Sequence, residues 1–183
     1  MVDETEQKIL GAALKIFAEK GYKGATTRSI ATEAGVHDST LFRKFETKKN
    51  LFNIVLTRTN EKMMQDLDLV IVDKKFETPR DFLETLIRNL VKLAENNYEH
   101  LNITINENGR ISENVMDKFI FHISKYMEEK LPNSKINYPV FVMTITSFIY
   151  PLIHDKRQGR ALVNQEEVIE IFINNTALCF PVK

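Results

Sequence analysis

Apolar residues recur along this chain at intervals of three and four, the spacing that lines one face of an α-helix. Ile9, Ala13, Ile16 and Phe17 make a first run that Gly21 ends, and Asp3 with Glu6 opens it in the arrangement of a capping box. Ile30, Ala31 and Ala34 form a short stripe of small residues behind Thr26 and Thr27, either of which can cap a helix. Gly35 then stands where a left-handed residue ends the element at least cost. Leu41 and Phe45, with Phe42 beside them, anchor a second short helix over His37 to Lys44, and Thr47 caps a long one from Lys48 to about Val72. Leu51, Phe52, Val55, Thr59, Met63 and Leu67 share one side of that long helix.

The remainder reads the same way. After a polar linker, Thr78 and Pro79 make a cap and first-turn proline for a helix that turns Leu83, Ile87, Leu90 and Ala94 inward. In Tyr98 to Asn108 the residues Leu101, Ile103 and Ile105 alternate like a strand, but nothing nearby offers a pairing partner, so an irregular helix is expected. Asn108 and Gly109 make a turn, and Ser112 caps a helix carrying Val115, Phe119, Ile123 and Tyr126 that ends before Pro132. Pro139 to Asp155 is apolar nearly all round, which calls for burial on all sides by its own core and by something else, with a kink at Pro151. Asn164 and Glu167 form a capping box for a last helix with Ile169, Phe172, Ile173 and Thr176 in its stripe. The expected fold class is all-α.

The two short helices and the turn between them have a chemistry of their own. The second is held by bulky apolar groups and offers small polar side chains at its start and two cations at its end. Lys48 and Lys49 sit in the first turn of the next helix, where cations oppose the macrodipole, a conflict that a nearby anion such as a DNA phosphate removes. A helix-turn-helix needs this arrangement: a thin polar reading edge for the major groove and flanking groups that hold the backbone. The residues Thr26, Ile30, Ala31, Glu33, Ala34, Gly35, Val36, Thr40, Leu41, Phe42, Phe45, Lys48 and Leu51 stand in a pattern that resembles the DNA-binding segment of the TetR family of bacterial transcriptional repressors. With the helix ahead of it, the match covers about the first quarter of the chain. The chain departs from the pattern at Asp38 and Lys44, and Phe42 lacks the hydroxyl of the tyrosine common there.

That resemblance implies a helix-turn-helix DNA-binding domain over residues 1–50, with the motif at about 26–45, and a helical ligand-binding and dimerisation domain over 51–183. Ser39, Thr40 and Arg43, with Asp38 and His37 at the edge, are expected to reach bases, and Thr27, Arg28, Lys44 and Lys48 to hold phosphates. A twofold pair of reading helices reaches two half-sites about 34 Å apart, so a homodimer is expected. Phe141, Ile145, Leu152, Ile169, Phe172, Ile173 and Thr176 are its expected interface, a four-helix arrangement of the last two helices and their copies. Phe82, Leu86, Tyr98, Phe119, His122 and Phe148 are the expected pocket for a small-molecule effector, apolar or amphipathic because no cluster of cations awaits an anion. Filling the core is the simpler use of the same aromatic groups.

Composition adds limits. Lys plus Arg and Asp plus Glu are 25 each, so no global field points to nucleic acid. From Lys20 to Lys49, however, seven cations face three anions, a basic patch that suits a site-limited DNA binder, although charge alone favours an ordinary solvated face. Cys179 is the lone cysteine, which excludes an intrachain disulfide, suits a reducing cytoplasm and reads as a small buried hydrophobe. MVDETEQK carries no apolar stretch, so no signal peptide is expected, and the run from Val140 to Ile153 is too short and too polar to span a bilayer. His37, His100, His122 and His154 are not spaced as metal ligands, and no metal, cofactor or enzyme fingerprint is seen. Lys156, Arg157 and Arg160 suggest an exposed loop. The expected function is a cytoplasmic, homodimeric DNA-binding repressor released by its effector; the alternative is a helical carrier or sensor without DNA binding.

Overall fold

The computed structural model of the protein describes residues 3–107, 115–160 and 163–180. Among the described residues the regular elements are all helices: α1 (Glu4–Gly24), α2 (Thr27–Ala34), α3 (Asp38–Phe45), α4 (Lys48–Leu67), α5 (Pro79–Asn96), α6 (Tyr98–Asn106), α7 (Val115–Lys130), α8 (Tyr138–Arg157) and α9 (Gln165–Ala177). They form two compact units. The first takes the chain up to Lys62 and again from Glu99 through α6, and the second takes Met63–Tyr98 and the chain from α7 onward. The expected turn at Asn108 and Gly109 and the cap at Ser112 lie outside the described residues.

In the first unit, Asp3 caps α1 by accepting the Glu6 amide at 2.7 Å. The reciprocal half of a capping box does not form, because the Glu6 carboxylate pairs with Arg58 of α4 at 2.9 Å. Gly21 does not end α1 but kinks it, at φ 65 and ψ 171, and one more turn follows. Ile9, Ala13, Phe17, Ile30, Leu41, Phe45, Leu51, Phe52 and Val55 make a common core, and Ile103 of α6 joins it from far along the chain. Full burial of each large side chain stabilises the unit by about 1.5–3 kcal/mol.

The strand-like alternation of α6 has a physical cause. Two of its polar residues are buried too: His100 lies 2.9 Å from the Thr59 hydroxyl and Asn102 donates to the Ala18 carbonyl at 2.9 Å. Buried polar groups with partners look, in sequence, like a solvent face.

In the second unit α5 packs on α8 and α9, and α7 on α8. Thr78 and Asp81 cap α5 reciprocally, and Leu83, Ile87, Leu90 and Ala94 are buried as their spacing indicates. The long helix α4 stops at Leu67 rather than near Val72. Bonds from Asp68, Leu69 and Val70 to carbonyls three residues back tighten its end, and the Tyr126 hydroxyl then bridges both backbone groups of Val72, donating at 2.9 Å and accepting at 3.1 Å. Helix α8 is not buried on all sides within the chain. Val142, Ile145, Ile149 and Ile153 face the core, whereas Val140 and Met143, on the opposite face, are 57% and 52% exposed. It runs on through Pro151 to include Lys156 and Arg157, which are exposed as expected but helical rather than in a loop. Cys179 is exposed, not a buried hydrophobe. No described helix is long and apolar enough to cross a membrane, and no metal-binding group of His, Cys, Asp or Glu occurs among the described residues.

Candidate nucleic-acid interface

Helices α2 and α3 and the turn between them are built by local chemistry. Thr26 accepts the Ser29 amide at 3.0 Å and donates its own amide to the Ser29 hydroxyl at 3.2 Å, which satisfies donors at the start of α2. At the far end Gly35 is left-handed, with φ 66 and ψ 34, and the Val36 amide returns to the Ala31 carbonyl at 2.9 Å. No atom would obstruct a Cβ at Gly35, so the preference for glycine is purely conformational. Leu41 and Phe45 bury completely and fix the roll of α3. That roll leaves His37, Ser39, Phe42 and Arg43 exposed and Asp38 and Thr40 half-buried, a polar edge at the first turns with a cation at the last. The Asp38 carboxylate sits in the first turn, where the helix dipole favours it, and its Oδ1 atom is buried without a hydrogen bond.

Thr27 and Arg28 open α2. Arg28 is exposed and lines, with Ile16, Lys20, Thr26, Ser29, Thr32 and Glu33, a groove of 390 Å³ between α1 and α2. Two cations, Lys20 and Arg28, and one carboxylate, Glu33, line that groove beside the start of α2. The two lysines expected at phosphates each have partners within the chain. Lys44 pairs with Asp3 at the start of α1, and its ammonium, followed by the Glu6 amide, holds the Asp3 carboxyl below its usual range. Lys48 donates to the carbonyls of Tyr22 and Ala25, both at 2.8 Å, and lies 4.5 Å from the centre of the Tyr22 ring. Both contacts join residues far apart in sequence, and no local pattern announces them. Nor does any announce Glu107, whose carboxylate accepts the Tyr22 amide at 2.6 Å.

The residues expected to line an effector pocket differ in their burial. Phe82, Leu86, Tyr98 and Phe119 are buried. His122 is exposed and meets only the ring of its neighbour Phe121, at 5.8 Å, among its described ring contacts. Phe148 is half-buried and stacks on Phe172 at 3.8 Å with 5° between planes, which assigns it to the face shared by α8 and α9. Tyr98 carries a polar handle, its hydroxyl 2.9 Å from His154 Nδ1.

Of the expected interface residues, Ile145, Ile169, Ile173 and Thr176 are buried within the chain itself. Phe141, Leu152 and Phe172 are half-buried. The side chains that do stand out are Val140 and Met143 on α8, with Ile171 on α9 and Leu178 just beyond it, 52% and 79% exposed. The apolar pattern of both helices showed that two faces exist but not which one the chain's own core takes.

Comparison with known proteins places this geometry. Residues 9–55 match the model of the bacterial regulatory proteins of the tetR family. The chain is 39% identical over 54 residues to the HTH-type transcriptional regulator YvkB of Bacillus subtilis, a match covering 30% of this chain and only 29% of that protein. It is 30% identical over 134 residues to the HTH-type transcriptional regulator YhgD of the same organism, covering 70% of this chain and 68% of the relative. Its fold is similar to the solved structure of the ketosteroid transcriptional regulator KstR2 of Mycobacterium tuberculosis, with a TM-score of 0.72, 16% identity, and coverage of 100% of this chain and 98% of the other.

Proposed function

The chain belongs to the TetR family of bacterial regulatory proteins, and from that premise we propose that it is a sequence-specific DNA-binding repressor acting as a homodimer. As a member of a family of regulators it is not an enzyme. The observation that carries the proposal is the seating of α3: Leu41 and Phe45 are fully buried beneath it, so Ser39, Thr40 and Arg43 form a rigid outward edge. These three residues read base edges in the major groove, with His37 and Asp38 at the margin, while Thr27 and Arg28 hold the phosphate that enters the groove at the start of α2. Lys44 and Lys48 brace the reading unit from within.

One reading helix discriminates little, and the exposed apolar faces of α8 and α9 support pairing with a second copy. An apolar or amphipathic effector that competes for the aromatic environment of Phe82, Leu86, Tyr98 and Phe119 releases the operator, through a coupling of about 1–3 kcal/mol between the two sites. Selection of bound duplexes from a random library tests the proposal, followed by mobility shifts at two salt concentrations. Enrichment of one sequence, bound more weakly at higher salt, is expected. Absence of any retained duplex at low salt contradicts it.

A further inference from the structure

The end of α1 is held by groups that come from elsewhere in the chain. At Gly21 the backbone turns to φ 65, which takes the next peptide out of regular helical bonding. Tyr22 is then gripped on both sides: its N–H donates to Glu107 Oε1 at 2.6 Å, and its carbonyl accepts from Lys48 Nζ at 2.8 Å. Lys48 also takes the Ala25 carbonyl, and the Tyr22 ring packs edge-on against Phe52 at 4.9 Å. Glu107 approaches so closely that a Cβ on Gly21 would lie 2.9 Å from its Oε1 atom, the far end of a side chain that can shift, so glycine is required there for φ rather than for space. Glu107 is itself fixed, since it follows α6 directly, and α6 is seated in the same unit by Ile103 in the core and by the Asn102 bond to the Ala18 carbonyl. Three residues separate Tyr22 from Thr26, the cap of α2.

We propose that Glu107 is a positioning residue for operator binding: by clamping the kinked end of α1 it fixes the direction in which α2 starts, and with it the placement of Thr27 and Arg28 against the phosphate. Glu107 touches no DNA. A charge-assisted bond to a backbone N–H is among the stronger hydrogen bonds, and removing the carboxylate takes that bond from the N–H at the bend. This inference rests on the DNA-binding reading above. It adds a residue 62 positions beyond the last residue of the reading helix, Phe45, to the parts that determine affinity.

The experiment is a double-mutant cycle on the full-length protein, with operator affinity measured by fluorescence anisotropy on the duplex that selection recovers. Glu107→Ala is expected to weaken binding about tenfold and to lower the salt slope by about one, because Arg28 is displaced from its phosphate. Arg28→Ala is then expected to weaken the parent but to add nothing in the Glu107→Ala background. Glu107→Gln keeps an oxygen acceptor for the Tyr22 amide and is expected to bind within about threefold of the parent. Should Glu107→Ala melt below the assay temperature, Glu107→Asp keeps the charge, withdraws the carboxylate by one methylene and carries the same expectations. Full additivity of the two substitutions, or a Glu107 variant that binds like the parent while the Tyr22 amide loses its protection from hydrogen exchange, overturns the positioning role and leaves the DNA-binding reading intact. A parent protein that binds no duplex overturns both.

Discussion

Arg43 is the residue on which specificity turns. It is exposed at the end of a helix whose opposite face is sealed by Leu41 and Phe45, so its guanidinium has a fixed origin and a free reach. Replacing it with alanine is expected to cost about 1–3 kcal/mol on the selected operator and to flatten discrimination among related duplexes. Competition titrations check this, and equal losses on all sequences would reassign Arg43 to the backbone. His100 governs a different property. Burial first, and Lys62 second, lower its pKa from 6.5 to about 4. The unfolded chain therefore binds a proton below about pH 6.5 that the folded chain refuses until about pH 4. Stability on this account is full above pH 6.5 and falls as the pH drops toward 4, by up to about 3 kcal/mol. Urea midpoints at neutral and acid pH should show that loss in the parent and a smaller one in His100→Gln. Neither the burial of His100 nor its Thr59 partner was legible in the sequence, since their contact joins α6 to α4 across forty-one positions.

At the level of elements, the sequence revealed most where the determinants are local. The Thr26 and Thr78 caps, the left-handed Gly35 and the Leu41–Phe45 pair each act within a few residues, and each appears where its pattern placed it. What eluded the pattern are contacts between elements. Lys48 sits in a first turn, where a cation opposes the dipole, and its partners within the chain are the carbonyls of Tyr22 and Ala25 at the end of α1. Lys48→Ala is therefore expected to lower stability by about 1–3 kcal/mol in denaturant titrations while leaving the salt slope of DNA binding near that of the parent. A flattened slope with unchanged stability would return Lys48 to the phosphates. Lys44 follows the same logic, because its partner Asp3 is already the cap of α1, so a single carboxylate joins the first helix to the reading helix.

For the whole molecule the question is how many copies act together. We propose that the faces of α8 and α9 that carry the exposed Val140, Met143 and Ile171, with Leu178 just beyond, pair with a second copy, because the twofold symmetry of a dimer matches a DNA site of two half-sites one turn apart. Met143→Glu combined with Ile171→Glu is expected to give a folded monomer in sedimentation, with a helical circular dichroism spectrum like the parent's. Ile173→Glu, by contrast, places a charge in the core and is expected to unfold the second unit. A dimer that survives the first pair would move the interface to another surface. The central claim, a symmetric pair of reading helices on DNA, meets its most direct test in the sequence of the duplex recovered by selection. An inverted repeat with half-sites centred about 34 Å apart is the predicted result, and a site without twofold symmetry, or no enriched site at all, would contradict it.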